Sequence, residues 1–138
     1  MSCQASLRAA ARLYVAQALL AGTTTLVDHH ESPSLIAGSL DVLADACAEL
    51  GCRALLTYGA TERNGGAAEG QAGLAECRRF VEHNQRRAIL GLVGLHASFT
   101  VSDETIRAAG ELCRALSVPM HVHVAEDRDH AATDRHEC

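Results

Sequence analysis

The sequence contains no lysine and no tryptophan, and aromatic residues make up only 3% of it. All 12 basic residues are arginines, set against 17 acidic residues for a formal net charge of −5. A nucleic-acid surface needs a basic stripe, and single-strand recognition also needs aromatic stacking platforms, so no nucleic-acid partner is expected. The missing lysine also excludes a phosphate-binding P-loop. The Gly-rich stretch at Gly65 and Gly66 lacks the Gly-x-Gly-x-x-Gly of a dinucleotide fold as well. Apolar runs, such as residues 89–92, fall far short of the ~20 residues that a membrane helix requires, so no membrane partner is expected either. Six cysteines are scattered without a Cys-x-x-Cys pair, which argues against a zinc ribbon or a disulfide framework. Residues 1–12 show no charged-then-apolar leader pattern, and the expected compartment is the cytoplasm.

What is present is a chain with 48% hydrophobic residues and 25 alanines, too apolar for disorder. Its pattern repeats. Residues 7–20 carry apolar positions at helical spacing and stop at Gly22. Residues 23–27 are a short β-branched strand, and Pro33 opens a helix that ends at Gly51. A strand at 52–58, a Gly-rich loop at 59–70 and a helix at 71–83 follow. Residues 88–95 form a nearly unbroken apolar strand. Ser102 then caps a helix to about Leu116, with Asp103 and Glu104 suited to its positive end. The last strand spans 118–124. One-way alternation of strand and helix predicts an α/β fold with a parallel sheet of about four strands, covered on both faces.

The polar residues gather where these strands stop. Asp28, His29 and His30 follow the first, Tyr58, Glu62 and Arg63 the second, and His96 the third. His121, His123 and Glu126 end the fourth. Parallel α/β sheets build their active sites at strand carboxyl ends. Polar residues resume wherever a strand ends, which accounts for Glu62 and Arg63. It accounts less well for five of the eight histidines gathering there. In the segment from Met120 to Glu126, period-two alternation puts His121 and His123 on one face and Val122 and Val124 on the other. Two such imidazoles can meet one metal ion, or one can bind while the other sits a layer deeper. Glu126, three residues past His123, can curl over the same spot, where a carboxylate can accept a proton from an activated water and return it to a leaving group.

Three segments together carry a family resemblance. They are Gly22-Thr23-Thr24-Thr25-Leu26-Val27-Asp28-His29-His30, Gly94-Leu95-His96-Ala97-Ser98-Phe99-Thr100 and His121-Val122-His123-Val124-Ala125-Glu126. In this order and spacing the chain resembles the amidohydrolase superfamily, in its deaminase and chlorohydrolase branch, and is most similar to the SsnA-type aminohydrolases. The resemblance implies a central portion, strands two to five, of a TIM-type (β/α)8 barrel. It implies metal-assisted hydrolysis of a non-peptide carbon–nitrogen bond, typically a deamination, by hydroxide formed on Zn2+ or Fe2+. By position His123 is the metal ligand, Glu126 the proton shuttle and His96 a substrate contact. His29 and His30 are close enough to line the substrate pocket, with no sharper role, and His121 is expected in the layer behind the ligand and not as a ligand itself. The substrate implied is a small molecule such as a nitrogen heterocycle.

The resemblance also implies what the 138 residues do not hold. The family's first strand supplies a His-x-His pair, and later strands a histidine and an aspartate, so only His123 of the metal set is expected here. Catalytic metals use about three protein ligands, and a complete barrel typically takes ~250 residues. The expectation is therefore a partial barrel domain over residues 1–126 with a polar tail at 127–138. Such a chain would be inactive alone and would expose two sheet edges through which it could self-associate. A second reading is a non-enzymatic α/β binding module, or one subunit of a split protein. An Asp-His-His triplet also marks a class of manganese phosphoesterases. Those need earlier aspartate clusters, and the first 27 residues contain no Asp or Glu.

Overall fold

A computed structural model describes residues 2–125. The elements in order are α1 (Cys3–Leu20), β1 (Thr25–His30), α2 (Ser39–Leu50), β2 (Arg53–Ala60), α3 (Ala67–His83), β3 (Ile89–Gly91), β4 (Val93–Ala97), α4 (Asp103–Leu116) and β5 (Met120–His123), with a 3-10 turn at Ser98–Thr100. Every strand pairing is parallel. The sheet runs β1-β2-β4-β5, with β3 also on β2. β3 and β4 occupy one strand position interrupted at Leu92, where the 88–95 segment reads as continuous. There the Leu92 N–H donates to Leu56 O (2.9 Å), and its carbonyl accepts from the Thr57 hydroxyl (3.2 Å). The sheet thus has four strand positions, as the alternating pattern predicts, and forms a half-barrel, as the resemblance implies. The tail at 127–138 and Glu126 lie outside the described residues.

The helices cover one face only. Leu26, Ala54, Leu56, Tyr58 and Ile89 bury against Leu40, Leu43 and Cys47 of α2, Val15 of α1 and Phe80 of α3. A second cluster joins Val93 and Leu95 of β4 to Leu74 of α3 and Leu112 of α4. The alternate residues of the same strands point inward, where Val27 and Leu90 flank Leu55 in register and remain 53% and 60% exposed. Sheet faces covered on both sides were expected from the apolar runs, and here the inner face is open. The reason is geometric: four strand positions curl without closing, so no opposite wall of strands covers the inward side chains at this end of the sheet.

The start of α2 depends on a long-range partner, and the other helix starts on nearby residues. Two follow local rules: Ser2 accepts from Ala5 N, and Ser102 accepts from Thr105 N (3.4 Å) with Asp103 and Glu104 in the first turn. α2 instead begins at Ser39, six residues after Pro33, because Gly38 takes a left-handed conformation (φ 79°) that breaks any earlier helix. Gly38 has no side chain with which to cap. The Glu76 carboxylate of α3 does so, accepting from the Gly38 and Leu40 N–H groups (3.0 and 3.2 Å). α3 likewise begins four residues before residue 71, inside the Gly-rich stretch. Glu69 reaches back to accept from the N–H groups of Asn64 and Gly65 (2.9 and 2.8 Å).

Candidate metal and substrate site

The inward parity that leaves Val27 and Leu90 exposed at one end of the sheet carries histidines at the other. β5 presents His121 and His123 inward, while Met120 and Val122 pack outward against the α4 side. β4 presents His96 inward between outward-facing Leu95 and Ala97. β1 contributes His29. The ring centroid of His29 lies 4.4 Å from that of His123, 4.9 Å from His121 and 6.3 Å from His96. His96 and His123 are 5.9 Å apart. Three strands therefore bring four imidazoles together at their carboxyl ends.

Gly59 is what lets β1 reach the others. It sits inward on β2, and a Cβ there would overlap Nε2 of His29. Its register partner Gly94 is also bare, so no side chain stands between the sheet's two edges at this level. The ligand atoms of His29, His121 and His123 all lie within 4.8 Å of one another. Both ring nitrogens of His29 are buried and make no hydrogen bond among the described residues. Burial, then repulsion from His123, His121 and His96, lowers the His29 pKa to about 4, so the ring is neutral near pH 7.

The rim adds charge. Glu31, just past β1, accepts two bonds from the Arg63 guanidinium (2.7 and 3.0 Å), and its carboxylate lies 3.7 Å from Nε2 of His96. Nδ1 of His96 faces the Thr100 hydroxyl at 3.2 Å. Arg63 thus holds the carboxylate that faces His96. Glu62 serves the fold, accepting from the hydroxyls of Ser102 and Thr105 at the start of α4 (2.8 and 2.5 Å).

The structure brings His29, His96, His121 and His123 together. His30 is not with them. As the next residue along β1 it faces the opposite side, where its ring stacks edge-on against Tyr58 (5.9 Å) and lines a groove beside α1 with Cys3, Ser6 and Leu7. That placement corrects the expectation that both histidines line one pocket: successive strand residues cannot share a face. Glu126 lies outside the described residues. Glu31 and Gly59 escaped the sequence reading. A glycine at a strand end is a signal of close approach and could have pointed to Gly59. The pairing of Glu31 with Arg63 across 32 residues has no local signature.

The sequence profile described as "Amidohydrolase family" matches residues 2–137, and the chain belongs to that family. Among curated relatives, the 8-oxoguanine deaminase of Pseudomonas aeruginosa is 32% identical over 137 residues, covering 89% of this chain and 30% of the relative. A 5-methylthioadenosine/S-adenosylhomocysteine deaminase of Desulfitobacterium hafniense is 30% identical, covering 88% and 26%. The chain thus spans roughly a quarter to a third of the length of the curated relatives it matches. Solved structures agree on the fold. A triazine hydrolase variant superposes with a TM-score of 0.77 at 21% identity, over 93% of this chain and 31% of that one. Atrazine chlorohydrolase TrzN from Arthrobacter aurescens TC1, complexed with zinc, gives 0.72 at 19% identity, over 93% and 32%. No helix among the described residues is long and apolar enough to cross a membrane.

Proposed function

We propose that this chain carries strands two to five of an amidohydrolase barrel that hydrolyses a non-peptide carbon–nitrogen bond of a small nitrogen heterocycle, most simply a deamination. The observation that carries the reading is the convergence of His29, His96, His121 and His123 at the strand carboxyl ends of a chain belonging to this family. The donor chemistry fits a divalent ion. Imidazole nitrogens suit zinc and ferrous iron, and His29, with both nitrogens buried and unpaired, lacks any other partner among the described residues. His123 would hold the ion, with further ligands from other strands of the barrel. When bound, the ion polarises the scissile bond and lowers the pKa of water.

The remaining roles belong to side chains of this chain. His96, held at Nδ1 by Thr100 and faced at Nε2 by Glu31, is oriented to donate to an acceptor atom on the ring of the substrate. His29 forms the wall opposite it. Glu126, three residues beyond His123, takes a proton from water and returns it to the departing nitrogen, which leaves as ammonia. The test is a chimera in which these residues replace the matching segment of the 8-oxoguanine deaminase relative, assayed for ammonia release from amino-substituted purines. His123→Ala and Glu126→Ala are each expected to lower kcat/KM by at least ~100-fold. Near-wild-type turnover in either variant would remove the corresponding role.

A further inference from the structure

We propose that Glu31 is a specificity residue: its carboxylate accepts a hydrogen bond from a ring N–H of the substrate, beside the carbonyl oxygen to which His96 donates. The substrate class narrows accordingly to amino-substituted heterocycles with a lactam edge, a ring N–H next to a carbonyl. The inference rests on the amidohydrolase reading above and adds the acceptor half of its recognition pair.

Three features of the fold lead to Glu31. First, its position: continuing the alternation of β1 past His30 puts Glu31 on the side of His29, at the mouth of the inner face. Its side chain is 21% exposed, sheltered yet within reach of a ligand. Second, its free acceptor capacity. A carboxylate offers about four acceptor sites, and Arg63 Nη2 takes one on each oxygen (2.7 and 3.0 Å). Oε2 stands 3.7 Å from Nε2 of His96, too long for a hydrogen bond, so that contact uses neither group. An acceptor and a donor thus stand side by side, at a spacing that neighbouring edge atoms of one planar ring can bridge. Third, the pair is held in place before any substrate arrives. Beyond Glu31, Ser32 donates its N–H to the hydroxyl of fully buried Tyr58 (3.2 Å). Beside Arg63, Thr61 is buried, and Glu62 donates its N–H to the Thr100 carbonyl (2.9 Å). The Thr100 hydroxyl in turn faces Nδ1 of His96 (3.2 Å). Thr100 therefore ties the loop that presents Arg63 to the imidazole, and Arg63 ties Glu31 to both.

The chemistry of the pair selects the ligand edge. A carboxylate only accepts, so the substrate atom opposite Glu31 must carry a proton. In a deamination the amino group is the one that departs, which leaves the ring N–H as the donor that Glu31 meets. A methyl group on that nitrogen would remove the donor and press an apolar group against a carboxylate, and fixed polar groups reject such analogues strongly.

The experiment uses the full 138-residue chain and reads binding, not turnover. Isocytosine, whose ring N–H lies between its amino-bearing carbon and its carbonyl, is titrated in and followed by backbone amide NMR shifts. Its analogue methylated at that ring nitrogen is the comparison. Saturable shifts are expected around Glu31, Arg63 and His96, with the methylated ring at least ~10-fold weaker. Glu31→Gln should bring the two rings to within about twofold of each other, since Arg63 then draws the amide oxygen and the amide N–H groups face the substrate. Arg63→Gln, which releases the carboxylate from its anchor, should also lower the ratio. Glu49→Gln, an exposed carboxylate paired with Arg12 on the outside of the fold, should leave it unchanged. Should Glu31→Gln fail to fold by circular dichroism, Arg63→Gln decides. Equal affinity of the wild-type chain for the two rings would overturn the proposal, and so would no saturable binding of either. A wild-type ratio preserved in the folded Glu31→Gln and Arg63→Gln variants would overturn it as well. The amidohydrolase reading fails by a different result, undiminished turnover of the His123→Ala or Glu126→Ala chimera.

Discussion

Asp28, His29 and His30 are consecutive, yet they meet different surroundings because each strand residue points opposite to the one before it. His29 joins the inner imidazoles and His30 meets Tyr58 on the outer side. Asp28 also faces outward, beneath the helices, where burial holds its pKa above the ordinary carboxylate range; burial also raises Tyr14 and Cys47, with the Asp28 charge adding to it. The consequence for stability has a definite sign. With the folded-state pKa raised, the folded chain binds more protons than the unfolded one between the two values, so stability is lost as pH rises through the folded pKa. Asp28→Asn removes that loss. Its melting temperature should gain on the wild type at neutral pH, and the gain should vanish in acid below the unfolded Asp pKa. An equal difference at both pH values would show that the Asp28 charge carries no cost.

Between elements, the junction of α2 and α3 depends on one carboxylate. Glu76, 2% exposed, caps α2 through Gly38 and Leu40 while accepting from Arg79 Nε and Nη2 (2.8 and 2.9 Å). Arg79 and Arg86 then bridge to Asp41 on α2 (2.8 and 3.1 Å), and these carboxylates hold the Arg79 guanidinium more firmly protonated than usual. Removing Glu76 leaves the Gly38 and Leu40 N–H donors without their acceptor, while Arg79, 36% exposed, keeps Asp41. Glu76→Ala should therefore cost about 1–3 kcal/mol in urea unfolding. A loss below ~1 kcal/mol, the scale of an exposed pair, would show that solvent replaces the carboxylate. This junction is also why the start of α2 was not legible in the sequence. Pro33 is a sound local start signal, but the group that satisfies the first N–H donors lies 36 residues away in the chain.

For the whole molecule, the half-barrel has two unpaired edges, β1 and β5, among the described residues, with exposed Val27 on one and Val124 just past the other. Unpaired strand edges with apolar neighbours template further pairing. The purified chain is expected to sediment with a concentration-dependent mass, and Val27→Lys to shift it towards the monomer. A single monomeric species at all concentrations would show that the edges are protected. The alternation of parallel strand and helix, the Ser102 cap and the shared face of His121 and His123 were all legible from the chain, because period, capping and parity depend on residues a few positions apart. The break at Leu92, the start of α3 within a glycine-rich stretch, the separation of His29 from His30 and the meeting of His29 with β5 were decided by the tertiary structure. Sheet curvature and register bring those positions together across almost a hundred residues, and no local pattern records which inward side chains will touch.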